Sequence, residues 1–435
     1  MKKDQEEIYA LIEKNMKGIN LLSALYTIPD GWLSLAELPE GKRLIAVVKK
    51  QCPAFNFFKT EREFKEGALF IKVLELNANN AALVRRFVNW AGPVALERKS
   101  MTIGFCDWFS NSTKSLLPLL AKQNIRPLLA EVTKKASVTS GQNFLEIMDA
   151  VTWSVLENGY QDGYGAAALD LNEEEDIVKV LLYGYSMIGF DCSDKINYEI
   201  DSMSEEMVAK EYLQLPVEFR EAMEESYVDG ILKLSNGHIL NYAADNLRRI
   251  VLKYGEFIMR VQSLYNSYLL NTPWEINFAL SMVAAGKSLT LEEHYLVGHE
   301  LIRNKVKIAL VKMPQSGTWD LQECSGHAEV AEACGYRLSF DYEKSLQEIL
   351  PEVLKCTNRN LHINITSLLC EATLQVIELT DQVLYKKIIA VDKVELGLLI
   401  NKNKGFKREI TDVLAREQAL YEKVLVKLWE EQKLL

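Results

Sequence analysis

The segment EIMDAVTWSVLENGYQDGYGAAALDLNEEEDI, residues 146–177, changes character near its middle. Its first half has the apolar spacing of a helix, which ends near Glu157. Three glycines follow, at 159, 163 and 165, and then three alanines and a leucine. Gly159 fits a helix C-cap in the left-handed region. Gly165 and the alanines predict a slim strand for a crowded barrel interior, so the turn before it should lie at the barrel's N-terminal face, opposite the expected active site.

The same alternation of helix and short strand continues along the chain from residue 100. The candidate strands lie at 101–105, 126–131, 165–169, 186–191, 274–280, 306–311, 336–340 and 361–365. Strands that alternate with helices predict a parallel sheet, and eight such units close into a (β/α)8 TIM-type barrel of the α/β class. A doubly wound open sheet is the competing fold. However, no glycine-rich nucleotide fingerprint follows the first strand, where GFCDWFS stands.

Three further segments surround the predicted barrel. Residues 1–95 predict an N-terminal α+β extension with strands at 43–48 and 68–76, and residues 96–400 predict the barrel. Residues 192–272 are too long for a simple connection and predict an insertion after the fourth strand, with helices at 204–227 and 241–268 and a hairpin at 230–240. Residues 401–435 predict one charged C-terminal helix, which could pack on the barrel or pair two subunits into a homo-oligomer.

Composition narrows the class of partner. The 435 residues carry a formal net charge of -10, which argues against nucleic acid or an anionic membrane as the main partner. Seven cysteines without a CxxC spacing argue against a disulfide framework or a structural zinc site and favour a reducing, cytoplasmic environment. We also expect no signal peptide and no membrane span, because no sufficiently long apolar run occurs.

Polar side chains follow the strand ends, where barrels of this kind place their catalytic residues. These residues are Asp107, Glu131, Asp191, Lys312, Asp341, His362 and Asn364. Carboxylates and a histidine could hold a divalent metal ion, or they could move a proton next to a carbonyl group. The other interpretation of an acidic residue at such a position is a cap for the helix that follows.

An ordered series of segments carries a family resemblance. The segments are LELNANNAALVRRFVNWAGPVAL (74–96), TIGFCDWFS (102–110), NIRPLLAE (124–131), DAVTWSVLENGYQDGYGA (149–166) and YSMIGFDCSDKI (185–196). The series resembles the tagaturonate/fructuronate epimerases, which are metal-dependent bacterial enzymes of hexuronate breakdown. The chain as a whole resembles a divergent member of that family. The resemblance implies a (β/α)8 barrel. It also implies a reaction that inverts the C4 hydroxyl of a keto-hexuronate, using a cation and acid/base groups.

The resemblance and the strand ends together predict roles for individual residues. Catalysis is assigned to Asp107, Glu131 and Lys312. Binding of the sugar-acid substrate is assigned to Asp191, Ser193 and Asn364. Asp341 and His362 are the predicted metal ligands, for a divalent ion whose identity the sequence does not specify, and no nucleotide cofactor is expected.

The second half of the chain departs from the family pattern. Before the helix that starts near residue 291, the family carries an acidic segment, whereas this chain has Val283, Ala284, Ala285 and Gly286. A site that loses carboxylates loses ligands that balance the charge of a metal. This departure favours an alternative, a catalytically inactive relative that binds a sugar acid or a partner subunit. A third hypothesis is an enzyme of another class on the same barrel.

Overall fold

The computed structural model describes most of the chain. The described residues are 2–49, 53–97, 101–109, 111–123, 125–228, 231–235, 237–284, 286–314, 321–390 and 404–431. No helix among them is both long enough and apolar enough to cross a bilayer.

The N-terminal extension is an antiparallel sheet between two helices. Its strands are β1 (Asn20–Leu21), β2 (Tyr26–Ile28), β3 (Gly31–Leu38), β4 (Gly41–Lys49), β5 (Thr60–Glu66) and β6 (Leu69–Leu74). Helix α1 (Lys2–Asn15) packs through Ile8 and Ile12 on one face of the sheet, and α2 (Ala78–Phe87) packs on the other. Because both faces are buried, residues 44–48 of β4 are apolar without alternation. The sequence analysis predicted β4 and β6 but none of the other four strands.

The barrel consists of parallel strands in the predicted places. They are β7 (Thr102–Gly104), β8 (Arg126–Leu128), β9 (Val132–Thr133), β10 (Ala167–Leu171), β11 (Met187–Phe190), β14 (Asn277–Ser281), β15 (Ile308–Lys312), β16 (Arg337–Asp341) and β17 (Leu361–Asn364), with β12 and β13 in the insertion. The pairing order is β8-β7-β17-β16-β15-β14-β11-β10-β9. β8 and β9 are consecutive pieces of the second barrel strand, and bonds such as Leu129 N to Gly165 O (2.9 Å) join this segment to the third strand. The predicted (β/α)8 barrel is therefore confirmed.

Helices surround the barrel on its outer side. They are α3 (Ser112–Lys122), α4 (Lys134–Ser140), α5 (Phe144–Asn158), α6 (Glu174–Tyr183), α10 (Leu291–Arg303), α11 (Leu321–Cys334), α12 (Lys344–Cys356), α13 (Thr366–Thr380) and α14 (Gln382–Ile389). Helix α5 ends at Gly159, whose φ of 62° is the predicted left-handed C-cap. Gly165 is needed for a different reason, since a Cβ there would lie 2.4 Å from Leu128 Cδ2.

The insertion after the fourth barrel strand contains α7 (Glu205–Tyr212), α8 (Val217–Tyr227), the hairpin β12 (Ile231–Lys233) and β13 (Ile239–Asn241), and α9 (Ala244–Tyr268). The helix predicted at 204–227 is two helices. Pro216 precedes α8, and a proline disfavours helical backbone in the residue before it, so α7 ends first. The C-terminal region likewise forms two helices, α15 (Lys404–Arg416) and α16 (Gln418–Glu431), where the sequence analysis predicted one helix over 401–435.

A buried histidine pair lies between α10 and α11. His294 Nδ1 and His327 Nδ1 are 2.9 Å apart, and Tyr336 Oη lies 2.9 Å from His294 Nε2. Burial lowers the pKa of His327 to about 4 and holds the pKa of His294 well below its ordinary value. Both imidazoles are therefore neutral in the folded protein, which gives His294 a structural role.

This pair predicts acid sensitivity of the fold. Between about pH 6.5 and 4 the two imidazoles bind protons in the unfolded chain but not in the folded chain. The free energy of unfolding therefore falls as pH falls, by up to about 1.4 kcal/mol per pH unit for each imidazole. Urea denaturation at several pH values would measure the slope. His327→Gln should flatten it, while His299→Gln, which changes a half-exposed histidine, should not. An unchanged slope in His327→Gln would contradict the assignment.

Candidate active site

The C-terminal ends of the barrel strands bring a ring of polar side chains together at the barrel mouth. Side chains alternate along each strand, so every second residue points into the barrel. Apolar residues such as Leu169, Ala279 and Leu310 fill the layer below the mouth. The residues at the strand ends above them are Gly104, Glu131, Asp170, Asp191, Ser281, Lys312, Asp341 and Asn364.

Lys312 lies between carboxylates at this mouth. Its Nζ is 3.3 Å from Asp341 Oδ2 and 3.9 Å from Asp170 Oδ2. Burial alone would lower the pKa of Lys312, but the carboxylates of Asp341, Asp170 and Glu131 outweigh burial and raise it. Lys312 is therefore an ammonium ion at neutral pH. The structure places this predicted catalytic residue at the mouth, with Asp341 beside it.

An open cavity of about 200 Å³ lies directly above Lys312. Its polar lining consists of Asp170, Asp191, Ser193, Ser281 and Lys312. Asp191 Oδ1 accepts hydrogen bonds from Ser193 N (3.0 Å) and Ser193 Oγ (2.7 Å), which order the loop after β11. The two predicted substrate-binding residues Asp191 and Ser193 are thus brought together with Lys312 around one cavity.

Asp170 is the charged lining residue that the sequence analysis missed, and Ser281 is an uncharged one. Asp170 lies in β10, where the pairing with β11 shifts register between Ala168 and Leu171, and its φ is 56°. Such a bulge turns a side chain out of the regular alternation, and aspartate tolerates the left-handed region better than most residues. Burial raises the pKa of Asp170 even though Lys312 acts to lower it. Asp170 is therefore a stronger base than an ordinary aspartate.

Glu131 and His362 form a buried pair next to the cavity. His362 Nε2 is 2.9 Å from Glu131 Oε2, and His362 Nδ1 is 2.9 Å from Thr102 Oγ1. Burial alone would raise the pKa of Glu131, but His362 and a hydrogen bond from Asn364 outweigh it and lower the pKa. Gly104 leaves the space for this pair, because a Cβ there would lie 1.5 Å from Glu131 Oε2.

Asp107, predicted to be catalytic, caps a helix instead. Its Oδ1 accepts from Asn111 N (3.1 Å), and its Oδ2 accepts from Thr113 N (2.8 Å) and Thr113 Oγ1 (2.9 Å). Asn111 at the N-cap position makes no side-chain capping bond of its own, and Asp107 instead accepts from Thr113 N in the first turn of α3. It faces a separate cleft beside Val151 of α5, and the catalytic assignment of Asp107 is not supported by this geometry.

Asp107→Ala is therefore expected to lower stability and to leave chemistry intact. Loss of the capping bonds should reduce the free energy of unfolding by about 1–2 kcal/mol. Urea denaturation measures this change, and kcat of the folded variant should match that of the wild type. A large fall in kcat at unchanged stability would show that Asp107 is a catalytic residue after all.

The predicted metal ligands do not meet at one point. Asp341 contacts the ammonium of Lys312, whereas His362 uses both ring nitrogens for Glu131 and Thr102. Across the part of the chain that the structure describes, no group of three His, Cys, Asp or Glu side chains is arranged to hold a metal ion. The residues around Lys312 thus do not fit the divalent metal that the family resemblance implies.

One wall of the cavity lies where the family resemblance predicts an acidic segment. Val283, Ala284 and Gly286 form this wall, and Ala285 lies outside the described residues. Tyr198 from the insertion accepts a hydrogen bond from Ala284 N (2.9 Å) at its hydroxyl. The ammonium of Lys253 lies 5.0 Å from the centre of the Tyr198 ring, so the insertion holds this wall in place.

Comparison with known proteins agrees with the barrel and its additions. A model of the tagaturonate epimerase family matches residues 24–431. A tagaturonate/fructuronate epimerase from Thermotoga maritima is 24% identical over 397 residues, which are 87% of this chain and 78% of that protein. The native crystal structure of a fructuronate-tagaturonate epimerase from Cohnella laeviribosi has a TM-score of 0.84, 21% identity and 98% coverage of both chains. A glycerol complex of the Cohnella enzyme matches equally well. The chain belongs to the tagaturonate epimerase family.

Proposed function

We propose that this protein interconverts two keto-hexuronates by inverting their C4 hydroxyl group, with tagaturonate and fructuronate as the pair that the names of its relatives suggest. The observation that carries this proposal is the position of Asp170, a carboxylate with a raised pKa, 3.9 Å from the ammonium of Lys312 in one open cavity. When a proton is removed while negative charge develops on a nearby oxygen, the reaction requires a base next to a fixed cation.

The substrate's own chemistry suggests the route. A ketone at C2 and a hydroxyl at C4 form an aldol, so C4 can be inverted by breaking and remaking the C3–C4 bond. The Asp170 carboxylate takes the proton of the C4 hydroxyl, C4 becomes an aldehyde, and the electron pair of the C3–C4 bond moves onto the C2 oxygen. The ammonium of Lys312 stabilises that oxyanion. After the aldehyde rotates, the bond re-forms on its other face and Asp170 returns the proton.

The other mouth residues have supporting roles in this scheme. Asp191 and Ser193 line the same cavity and can hydrogen-bond to sugar hydroxyls. The buried Glu131 raises the pKa of Lys312 and so keeps it charged during the reaction. Asn364 binds its own loop through Oδ1, which accepts from Thr366 N at 3.0 Å, and it also bonds to Glu131. Asn364 is thus a positioning residue for Glu131 in this scheme.

The alternative is a relative that binds a sugar acid without turning it over. Two observations favour it, the apolar wall at Val283 and Ala284 and the lack of a three-ligand metal group among the described residues. In this alternative the cavity and Lys312 serve only to bind the acid, and the family's chemistry has been lost together with its carboxylates.

Turnover by purified protein separates the two functions. Proton NMR would follow tagaturonate, and separately fructuronate, during incubation in deuterated buffer. We expect each to yield the same mixture of both, with the hydrogen on C4 retained because no C4–H bond breaks. Binding of either acid by calorimetry without any interconversion would establish the inactive alternative.

A further inference from the structure

A positively charged side chain lies among the carboxylates at the barrel mouth. Lys312 reaches this position from the end of β15, and its ammonium contacts Asp341 and lies near Asp170. Glu131 is the third carboxylate whose charge acts on Lys312. These three carboxylates come from three different strand ends of the barrel, so the ammonium lies where their fields add.

Carboxylates that converge on one point are the ligands of a hard divalent cation, which binds oxygen at about 2.0–2.6 Å. Here two of the carboxylates, those of Asp341 and Asp170, lie 3.3 Å and 3.9 Å from a group with one positive charge. A second cation in the same place would be repelled by the ammonium and would have to displace it.

Both ring nitrogens of His362 already have hydrogen-bond partners. Nε2 lies 2.9 Å from Glu131 Oε2, within hydrogen-bond distance of that carboxylate. Nδ1 faces Thr102 Oγ1 on the other side of the ring. A histidine binds a metal through a ring nitrogen that carries no proton, and neither nitrogen of His362 is directed at Asp341.

We infer that Lys312 is a built-in replacement for the divalent metal ion of this family, so that the mouth works as a metal-independent site. This inference deepens the proposed function and rests on it for the statement about catalysis, but its structural part concerns metal binding alone. The lysine supplies the positive charge that polarises the ketone oxygen, and the carboxylates that surround it serve as its counter-ions.

The inference predicts a gain of metal binding when the lysine is removed. In Lys312→Met the carboxylates keep their positions on rigid strand ends and lose the cation that they share. Protein would be dialysed against a chelator and titrated with Mn²⁺, with bound metal counted by elemental analysis and free Mn²⁺ followed by electron paramagnetic resonance. We expect the wild type to bind no stoichiometric Mn²⁺ and Lys312→Met to gain a site.

Lys72→Met is the matched control, because Lys72 is also a partly buried lysine paired with a carboxylate, Glu63, but lies in the N-terminal sheet. It should behave like the wild type. Stoichiometric Mn²⁺ on the wild type that is lost in Asp341→Asn would overturn the inference, and so would a folded Lys312→Met that binds none. If circular dichroism shows that Lys312→Met does not fold, Lys312→Gln takes its place. None of these measurements depends on turnover, so the proposed epimerisation can fail without affecting them.

Discussion

Replacing Asp170 with asparagine is expected to lower kcat by about 10²–10⁴-fold, the usual effect of losing a positioned acid/base group. Asparagine has nearly the same shape and also tolerates the left-handed backbone that residue 170 adopts, so the bulge in β10 should persist. The amide cannot accept the proton of the C4 hydroxyl. Steady-state rates of interconversion measure the loss, and calorimetry should show that the sugar acid still binds.

The pH dependence gives this prediction a second readout. Because burial raises the pKa of Asp170, the acid limb of kcat/KM in the wild type should have its midpoint above the ordinary aspartate value of about 3.9. That limb should disappear from the residual activity of Asp170→Asn. Asp149→Asn is the matched control, since burial also raises the pKa of Asp149 but it pairs with Arg85 away from the mouth. Equal kcat in Asp170→Asn and the wild type would remove Asp170 from the mechanism.

Gly104→Ala adds one methyl group at the barrel mouth, and this addition should destabilise the fold more than a methyl group at any other position there. A Cβ at residue 104 would lie 1.5 Å from Glu131 Oε2 and 2.7 Å from His362 Cε1, and no small shift relieves both contacts. The buried pair must therefore separate, which leaves the buried carboxylate of Glu131 without its hydrogen-bond partner. We expect the free energy of unfolding to fall by about 3–5 kcal/mol, the range seen when one partner of a buried ion pair is removed. Urea denaturation measures this loss.

Two comparisons make this prediction specific. Gly255→Ala places the same methyl group in the middle of α9, where a Cβ meets nothing within 4 Å, and should be neutral or stabilise by up to about 1 kcal/mol. The second comparison is a double-mutant cycle. Once Glu131→Ala has removed the clashing carboxylate, adding Gly104→Ala should cost less stability than it does in the wild type, because only the 2.7 Å contact with His362 Cε1 remains. Additive losses in the double variant would show that the clash with Glu131 is not the cause.

The barrel could be read from the sequence because its strands are short apolar runs between helices of regular periodicity. All eight candidate runs coincide with strands, and the one irregularity is that the second strand is split around residues 129–131. The sequence analysis did not predict strands β1, β2, β3 and β5 of the extension, because a sheet buried on both faces or exposed at its edge does not show clean alternation. Pro216 is a signal in the sequence that could have divided the helix at 204–227.

The candidate site was less predictable, for two physical reasons. Asp107 and Asp191 both follow a strand, and only the three-dimensional contacts show that one caps α3 while the other lines the cavity. Asp170 was missed because a bulge and a positive φ determine its direction, and neither can be read from AAALDL. The single available signal was a carboxylate that directly follows a slim apolar strand.

A crystal structure of the protein with bound fructuronate would test the central claim, that Lys312 and Asp170 act on a keto-hexuronate at the barrel mouth. We predict that the C2 oxygen lies within hydrogen-bond distance of Lys312 Nζ and that the C4 hydroxyl lies within reach of Asp170, with Asp191 or Ser193 on other hydroxyls. The same crystals soaked with Mn²⁺ should show no metal at the mouth. A sugar acid bound elsewhere, or a metal ion coordinated by Asp341 and His362 with Lys312 displaced, would contradict the account.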